Sequence, residues 1–143
     1  MPLKPAHKLE SQAASSATIC VPISPGELLD KISILEIKLE RIFDPAKLEN
    51  VRRELATLAD ARQGLPMLLE LNALTSALKA VNKSLWDIED SIRECEWRKE
   101  FGPAFIELAR SVYRNNDRRA AIKRQINELL GSVLVEEKAY ASY

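Results

Sequence analysis

One long helix dominates the pattern of apolar and polar positions along this chain. Over the stretch 71–96, apolar side chains recur at alternating steps of three and four residues. This spacing is typical of a helix that packs against other helices, and neither a strand nor a loop readily produces it. The apolar line consists of Leu71, Leu74, Leu78, Val81, Leu85, Ile88, Ile92 and Cys95. The pattern therefore predicts a central helix over residues 66–99.

A second line of side chains runs along the same predicted helix, beside the apolar one. Its members are polar or aromatic and follow one another at steps of four, three, four and three residues. Residues at this spacing share one face of a helix, where they can border a groove instead of open water. We treat as candidate site residues Asn82, Trp86, Glu89, Arg93 and Glu96.

Start and stop signals mark further helices on both sides of the central one. Ser24 is followed by Pro25 and Glu27, which together form a capping box with proline at the first helical position. Asp44 precedes another proline, and the run 115–117 (Asn-Asn-Asp) has the composition of a turn and a cap. The sequence thus predicts an all-α, five-helix bundle around one long central helix. The helices are expected over residues 24–43, 45–63, 66–99, 103–113 and 116–130.

The two ends of the chain carry weaker signals. Residues 1–18 have little to bury and no periodicity, which predicts a disordered leader before a single helical domain over 19–143. The stretch 19–23 is rich in β-branched residues but contains a proline, so it favours an extended lead-in. Its candidate partner is the stretch 133–135, and the pattern assigns no conformation to residues 132–143.

Composition and charge exclude several classes of function. The 21 basic and 21 acidic side chains cancel, so no global field attracts the chain to nucleic acid or to an anionic membrane. No apolar run is long enough to span a bilayer, and the first residues lack the apolar block of a secretion signal. We therefore expect a cytoplasmic protein with no nucleic-acid partner and no membrane partner.

Metal and histidine chemistry find little support in the residue inventory. Cys20 and Cys95 lie far apart, and His7 is the single histidine in the sequence, so a zinc site is not expected. The chain also has no glycine-rich phosphate loop and no nucleophile elbow. A magnesium site of the kind found in all-helical nucleotide pyrophosphohydrolases needs pairs of carboxylates about one turn apart on neighbouring helices. Here Arg93 lies among the acidic residues of the central helix, and a guanidinium favours binding of an anion over binding of magnesium. We expect no metal and no cofactor.

Charged residues of two other predicted helices complete the candidate site. Glu36 falls on the apolar face of the first helix, where a carboxylate must pair with a cation or keep its proton. Arg119 and Lys123, four residues apart on the last helix, are the expected partners. Two interpretations stay open: a pocket for a carboxylate or phosphate, and a structural network of ion pairs that ties the helices together.

Trp86 and Trp97 lie off the apolar line of the central helix, so another part of the structure must cover them. The candidates are the C-terminal tail, the helix that follows the central one, a partner, and a stacked ligand.

Three long strings of the sequence resemble a known family. They are residues 23–38 (ISPGELLDKISILEIK), residues 81–93 (VNKSLWDIEDSIR) and residues 105–123 (FIELARSVYRNNDRRAAIK). They are similar to a family of small bacterial and phage proteins known only as a domain of unknown function. The resemblance implies an association with glycosyltransferase and tetratricopeptide-type proteins, and hence with surface-polysaccharide or nucleotide-sugar metabolism.

Two functional hypotheses follow. In the preferred one, the protein is a small non-catalytic accessory module whose charged helical groove binds an anionic ligand or a partner protein. The alternative is a carboxylate-based helical-bundle enzyme acting on a phosphorylated or dicarboxylate small molecule, with Glu36 or Glu89 as general base. The apolar first helix and a central helix of ~50 Å also predict a homodimer, unless the first helix is packed inside the bundle.

Overall fold

A computed structural model describes residues 17–143, and this part of the chain contains helices and no strand. The predicted all-α class is confirmed. The predicted disordered leader, residues 1–18, lies outside the described residues except for its last two positions, 17 and 18. Over residues 17–143 the helices are α1 (Pro25–Arg41), α2 (Pro45–Arg62), α3 (Leu69–Arg98) and α4 (Pro103–Leu129).

The predicted count of five helices is wrong, because the fourth and fifth predicted helices form one continuous helix, α4. The run 115–117 was expected to form a turn and a cap. Instead, the Asn115 side chain donates a hydrogen bond to the Ser111 carbonyl oxygen four residues earlier, at 2.9 Å. Asp117 accepts a hydrogen bond from the Tyr143 hydroxyl at 2.7 Å. These polar side chains therefore bond along or across the helix instead of capping a new one.

The predicted helix starts of α1 and α2 agree with the observed caps. Ser24 Oγ accepts a hydrogen bond from the Glu27 amide at 3.2 Å. Asp44 Oδ1 accepts from the amides of Ala46 and Lys47 at 2.9 and 3.2 Å. Each cap satisfies amides of the first turn that have no partner within the helix, and this fixes where the helix begins.

Helix α1 is packed inside the bundle, in contact with α2, α3 and α4. Leu29 of α1 meets Leu71 and Leu78 of α3 and Ile126 of α4 in a buried core. Ile37 of α1 is only 1% exposed. Burial within the chain therefore accounts for the apolar surface of α1, which was one of the two reasons for expecting a homodimer.

The apolar line of α3 is buried at one end and half-buried at the other. Leu71, Leu78 and Val81 are buried, whereas Leu85 and the apolar positions that follow it are partly exposed. The change occurs near the end of α1. Arg41, the last residue of α1, donates a hydrogen bond to Asp87 of α3, so the half-buried part of α3 lies beyond the reach of α1. Beyond that point α3 and α4 continue as a hairpin. We call this part of the structure the distal hairpin, residues 88–112.

The two candidate extended segments form no strand. Residues 19–23 and 133–135 are exposed, and residues 17–143 contain no ladder of hydrogen bonds between strands. After α4 the chain turns at Gly131, whose φ of 64° suits glycine, and then runs back along α4. None of the helices within residues 17–143 is long and apolar enough to cross a membrane.

Candidate functional site

A cluster of buried polar side chains lies where α1, α3 and α4 meet. Asp30 of α1, at 1% exposure, is at its centre. Asn82 Nδ2 of α3 donates hydrogen bonds to Asp30 Oδ1 at 2.9 Å and to Ser33 Oγ at 2.7 Å. Asp30 and Ser33 are three residues apart, so both reach α3 from one face of α1. With Arg119, Lys123 and Asn127 of α4, these residues form what we call the buried polar cluster.

Arg119 closes the cluster from α4. Its Nε donates to Asp30 Oδ1 at 2.9 Å, and its Nη2 donates to Asp30 Oδ2, so the guanidinium grips the carboxylate with two bonds. Burial raises the pKa of Asp30, but hydrogen bonds from Arg119 and Asn82 and nearby positive charge outweigh it, and the pKa lies below its ordinary value. The hydrogen bond to Asp30 also raises the pKa of Arg119. The pair is therefore held in its charged form.

Lys123 is a nearly buried cation with two carboxylate partners. Its side chain is 8% exposed, and its Nζ lies 2.7 Å from Glu27 Oε2 and 3.0 Å from Glu136 Oε2. Burial lowers the pKa of Lys123, but the hydrogen bonds to both glutamates outweigh this effect and hold the pKa above its ordinary value. Glu27, predicted to complete a capping box, thus uses its carboxylate to join α1 to α4.

Gly26 brings the start of α1 close to α4. Its amide donates to Asn127 Oδ1 at 2.8 Å, a buried hydrogen bond. A Cβ atom at this position would lie 2.6 Å from the Lys123 carbonyl oxygen, so a larger residue does not fit without displacing backbone. The glycine is required for close approach between the two helices.

A groove of about 540 Å³ opens beside the buried polar cluster, and we call it the Trp86 groove. Five of the predicted site residues line it together: Asn82, Trp86, Glu89, Arg93 and Arg119. The lining is completed by Ile34, Leu85, Asp90 and Asn116. The predicted polar line of α3 therefore does border a groove, with Arg119 facing it from α4.

A second, smaller space of about 190 Å³ adjoins the groove, and we call it the Lys123 cavity. It shares Asn116 and Arg119 with the groove. The rest of its lining is Glu27, Ala120, Lys123, Glu136 and Lys138. The predicted site residues Lys123 and Arg119 are thus neighbours, but Lys123 belongs to this cavity and not to the groove.

Two predicted site residues lie elsewhere. Glu96 pairs at 2.9 Å with Lys99, the residue that follows α3, and does not line the groove. The expected pairing of Glu36 with Arg119 or Lys123 is wrong, because Glu36 Oε2 lies 3.1 Å from Lys79 Nζ. Glu36 is six positions further along α1 than Asp30, and the crossing of α1 over α3 brings it to Lys79 instead.

The ion pairs made by the predicted polar line of α3, those of Arg93 and Glu96, do not tie helices together. Arg93 Nη2 lies 3.9 Å from Glu89 Oε2, one turn earlier on the same helix, and the Arg93 side chain is 80% exposed. The structural-network interpretation therefore applies to Arg119 and Lys123, which join α4 to α1, and not to Arg93. The guanidinium of Arg93 is accessible to a ligand.

Sequence reasoning missed Asp30, the central carboxylate, together with Glu27, Asn127 and Glu136. A signal for Asp30 was present, because Gly26, Asp30 and Ser33 are spaced by four and three residues. Small and polar residues at this spacing form a stripe on one face of α1, and such a stripe indicates a close, hydrogen-bonded contact with another helix.

The buried polar atoms of this site are paired within the chain. Residues 17–143 contain no group of three or more His, Cys, Asp or Glu side chains arranged to hold a metal ion. Within the same range, every buried side-chain nitrogen or oxygen atom has a hydrogen-bond partner. The buried polar cluster is therefore fully satisfied, and its carboxylate, held ionised by Arg119, is not poised to exchange protons.

Comparison with known proteins finds one family model that matches this chain. The model of a family of unknown function (DUF6165) matches residues 19–143. No curated protein and no solved structure matches the chain. The matched range includes all four described helices, the buried polar cluster, the Trp86 groove and the tail that follows α4. The chain belongs to this family of unknown function.

Proposed function

We propose that this protein is a non-catalytic binding module whose Trp86 groove takes a small anionic ligand that carries a sugar, such as a sugar phosphate or a nucleotide sugar. One observation carries the proposal. The groove combines an indole face, an exposed guanidinium and side-chain amides in a space of about 540 Å³, which is within the usual range for small-molecule sites.

Each of these groups suits one part of such a ligand. Among residues 17–143 the guanidinium of Arg93 forms one ion pair, a long contact of 3.9 Å with Glu89, so it can form paired hydrogen bonds to phosphate oxygens. The half-buried indole of Trp86 offers an apolar face for stacking against a sugar ring or a base. The amides of Asn82 and Asn116 have the donor and acceptor atoms that hydroxyl groups require.

Arg119 contributes from the inner wall of the groove. Two of its bonds go to Asp30, and a guanidinium has further N–H donors available after these. Asp30 neutralises much of its charge, so Arg119 orients a ligand more than it attracts one. The main attraction for an anion then comes from Arg93.

The family resemblance of the sequence implies an association with surface-polysaccharide or nucleotide-sugar metabolism, and this also supports the choice of ligand. The alternative, a carboxylate-based enzyme, has weaker support. Glu36, one of its two candidate bases, pairs with Lys79 and does not line the groove. Glu89, the other, has a side chain that is 51% exposed, and residues 17–143 contain no group of three or more His, Cys, Asp or Glu side chains that could hold a metal ion.

A fluorescence titration tests the proposal. The variant Trp97→Phe leaves Trp86 as the single indole, so its emission reports on the groove. We expect UDP-glucose to change this emission, and we expect Arg93→Ala to weaken the apparent affinity about tenfold through loss of a charge-assisted contact. Arg98→Ala is the matched control, because Arg98 pairs with Glu94 and does not line the groove.

Three results would contradict the proposal: no response of Trp86 to UDP-glucose, an affinity unchanged by Arg93→Ala, or an equal loss in Arg98→Ala. A thermal-shift measurement adds an independent check, since a ligand at 100 times its dissociation constant raises stability by about 2.7 kcal/mol. Stabilisation by magnesium alone would instead favour the enzyme.

A second candidate function, self-association, is favoured by the tip of the distal hairpin. Trp97, expected to be covered, is 82% exposed, and Phe101 and Ile106 are 49% and 55% exposed. Large apolar side chains exposed together at one end of a structure favour a protein contact, and we propose a second copy of this chain as the partner. Light scattering at micromolar concentration tests this, and a mass of 16.1 kDa at every concentration would exclude the dimer.

A further inference from the structure

The segment after α4 folds back and lies over the Lys123 cavity. Residues 132–143 have no helix or strand, and three side chains attach them to α4. Glu136 reaches Lys123 at 3.0 Å, and Glu137 reaches Arg124 at 3.6 Å. Further along, the Tyr143 hydroxyl donates to an α4 carboxylate at 2.7 Å. We call residues 132–143 the tail.

Lys123 carries one positive charge but pairs with two carboxylates. Glu27 and Glu136 both lie within hydrogen-bond distance of its ammonium group, and two carboxylates around one cation repel each other. Glu27 is fixed in the first turn of α1, whereas Glu136 belongs to a segment without regular structure. Glu136 is therefore the partner that can leave.

The Lys123 cavity has the chemistry of an anion site once Glu136 is removed from it. Three of its lining residues are cations, namely Arg119, Lys123 and Lys138, and its lining is almost entirely polar. Without Glu136, one carboxylate of the lining remains, that of Glu27. A nearly buried ammonium group beside a guanidinium then offers strong, directed donors to an incoming anion.

We infer that the Lys123 cavity is a phosphate-binding site which Glu136 occupies from within the chain, and that a phosphate group displaces Glu136 and releases the tail. This inference deepens the proposed function and rests on it for the class of ligand. The cavity and the Trp86 groove share Arg119 and Asn116, so a ligand in the groove can extend a phosphate group into the cavity.

The competition favours phosphate for two physical reasons. A phosphate dianion has more negative charge and more acceptor oxygens than a single carboxylate, so it gains more from Lys123 and Arg119. Holding the tail against α4 costs conformational entropy, which is regained when the tail leaves. Glu136 nonetheless competes strongly, because an attached group acts at an effective concentration in the millimolar range.

Two matched variants of the tail test the inference. Glu136→Gln removes the carboxylate that contacts Lys123, and Glu137→Gln removes the neighbouring carboxylate, which contacts the exposed Arg124. Both change the net charge equally. We expect inorganic phosphate, measured by titration calorimetry, to bind Glu136→Gln about fivefold more tightly than wild type, because the binding-competent fraction rises. We expect Glu137→Gln to bind like wild type.

Limited proteolysis gives a readout that charge alone would not move. Saturating phosphate should speed tryptic cleavage after the exposed Lys138 in the tail of the wild-type protein and leave α4 intact. Lys123→Met should abolish phosphate binding in the wild-type and Glu136→Gln backgrounds alike, with folding verified by circular dichroism. Equal phosphate affinity of wild type and Glu136→Gln, equal tightening in Glu137→Gln, or no phosphate binding by any of them overturns the inference.

The outcome separates this inference from the proposed function. An Arg93-dependent response of Trp86 to UDP-glucose, with no effect of Glu136→Gln on phosphate binding, refutes the inference alone. Tighter phosphate binding by Glu136→Gln, with no response of Trp86 to UDP-glucose, refutes the groove as a sugar site and leaves the Lys123 cavity as the anion site.

Discussion

Replacing Asp30 with alanine removes the carboxylate at the centre of the buried polar cluster. The side chain is 1% exposed and Arg119 is 28% exposed, so the guanidinium loses its partner in a site that water reaches only in part. Breaking a buried pair from one side costs about 3–5 kcal/mol, and the partial exposure of Arg119 places the expected loss near the lower end, about 3 kcal/mol. That is a large part of the stability of a domain this size.

Urea unfolding followed by far-ultraviolet circular dichroism measures this loss, with Asp87→Ala as the matched control. Asp87 also accepts a hydrogen bond from an arginine across the α1–α3 contact, from Arg41 at 2.8 Å, but its side chain is 61% exposed. The two variants delete the same chemical group from the same kind of pair. We expect Asp87→Ala to cost less than about 1 kcal/mol, because solvent screens the pair.

A loss in Asp30→Ala no greater than that in Asp87→Ala would refute the argument from burial. The double variant Asp30→Ala with Arg119→Met separates the two remaining causes. It leaves no unpaired charge in the cluster, so we expect it to recover much of the stability lost in Asp30→Ala. A double variant as unstable as the single one would show that lost packing, and not an unpaired charge, is responsible.

Three further predictions concern the same fold. Gly26→Ala should destabilise the protein by about 2 kcal/mol in urea unfolding, because the new Cβ would lie 2.6 Å from the Lys123 carbonyl oxygen. The control Gly102→Ala meets nothing within 4 Å and should cost less than about 1 kcal/mol, the cost of alanine at the N-cap of α4. Lys99→Gly should raise the melting temperature by about 3 °C, since Lys99 ends α3 with a φ of 57° that glycine adopts without strain. The pKa of Asp30 in the folded protein lies below its ordinary value. The charged carboxylate therefore adds to the free energy of unfolding at pH values above the ordinary pKa, and this stability is lost as the pH falls through the folded pKa. Below about pH 4, wild type should lose more stability than Asp30→Ala does.

Local signals in the sequence were sufficient for the positions of α1, α2 and α3. The caps at Ser24 and Asp44 set the helix starts within a residue, because a cap acts on amides only two or three positions away. The continuity of α4 could not be predicted in this way. Its run 115–117 has the composition of a turn, but packing against α3 and contacts such as that of Asp117 with Tyr143 keep it helical.

The candidate site was predictable only in part, for a related reason. Helical spacing placed Trp86 and Arg93 on one line, and the structure places both on the wall of the groove. The partner of each buried charge depends on how helices cross, which spacing within one helix does not determine. Asp30 and Arg119 are 89 positions apart. The way α1 crosses α3 and α4 brings Asp30 to Arg119 and brings Glu36 to Lys79.

The two interpretations that the sequence left open, a structural network and a ligand site, are compatible in this geometry. Asn82 and Arg119 are held by Asp30 on the buried side and also line the Trp86 groove. A donor whose orientation is already fixed loses less entropy when a ligand binds, so a satisfied network behind a groove favours binding in it. A ligand strong enough to pull Arg119 away from Asp30 would have to replace a buried, two-bond contact. Binding is therefore expected to leave that pair intact and to draw its attraction from Arg93, whose guanidinium is exposed.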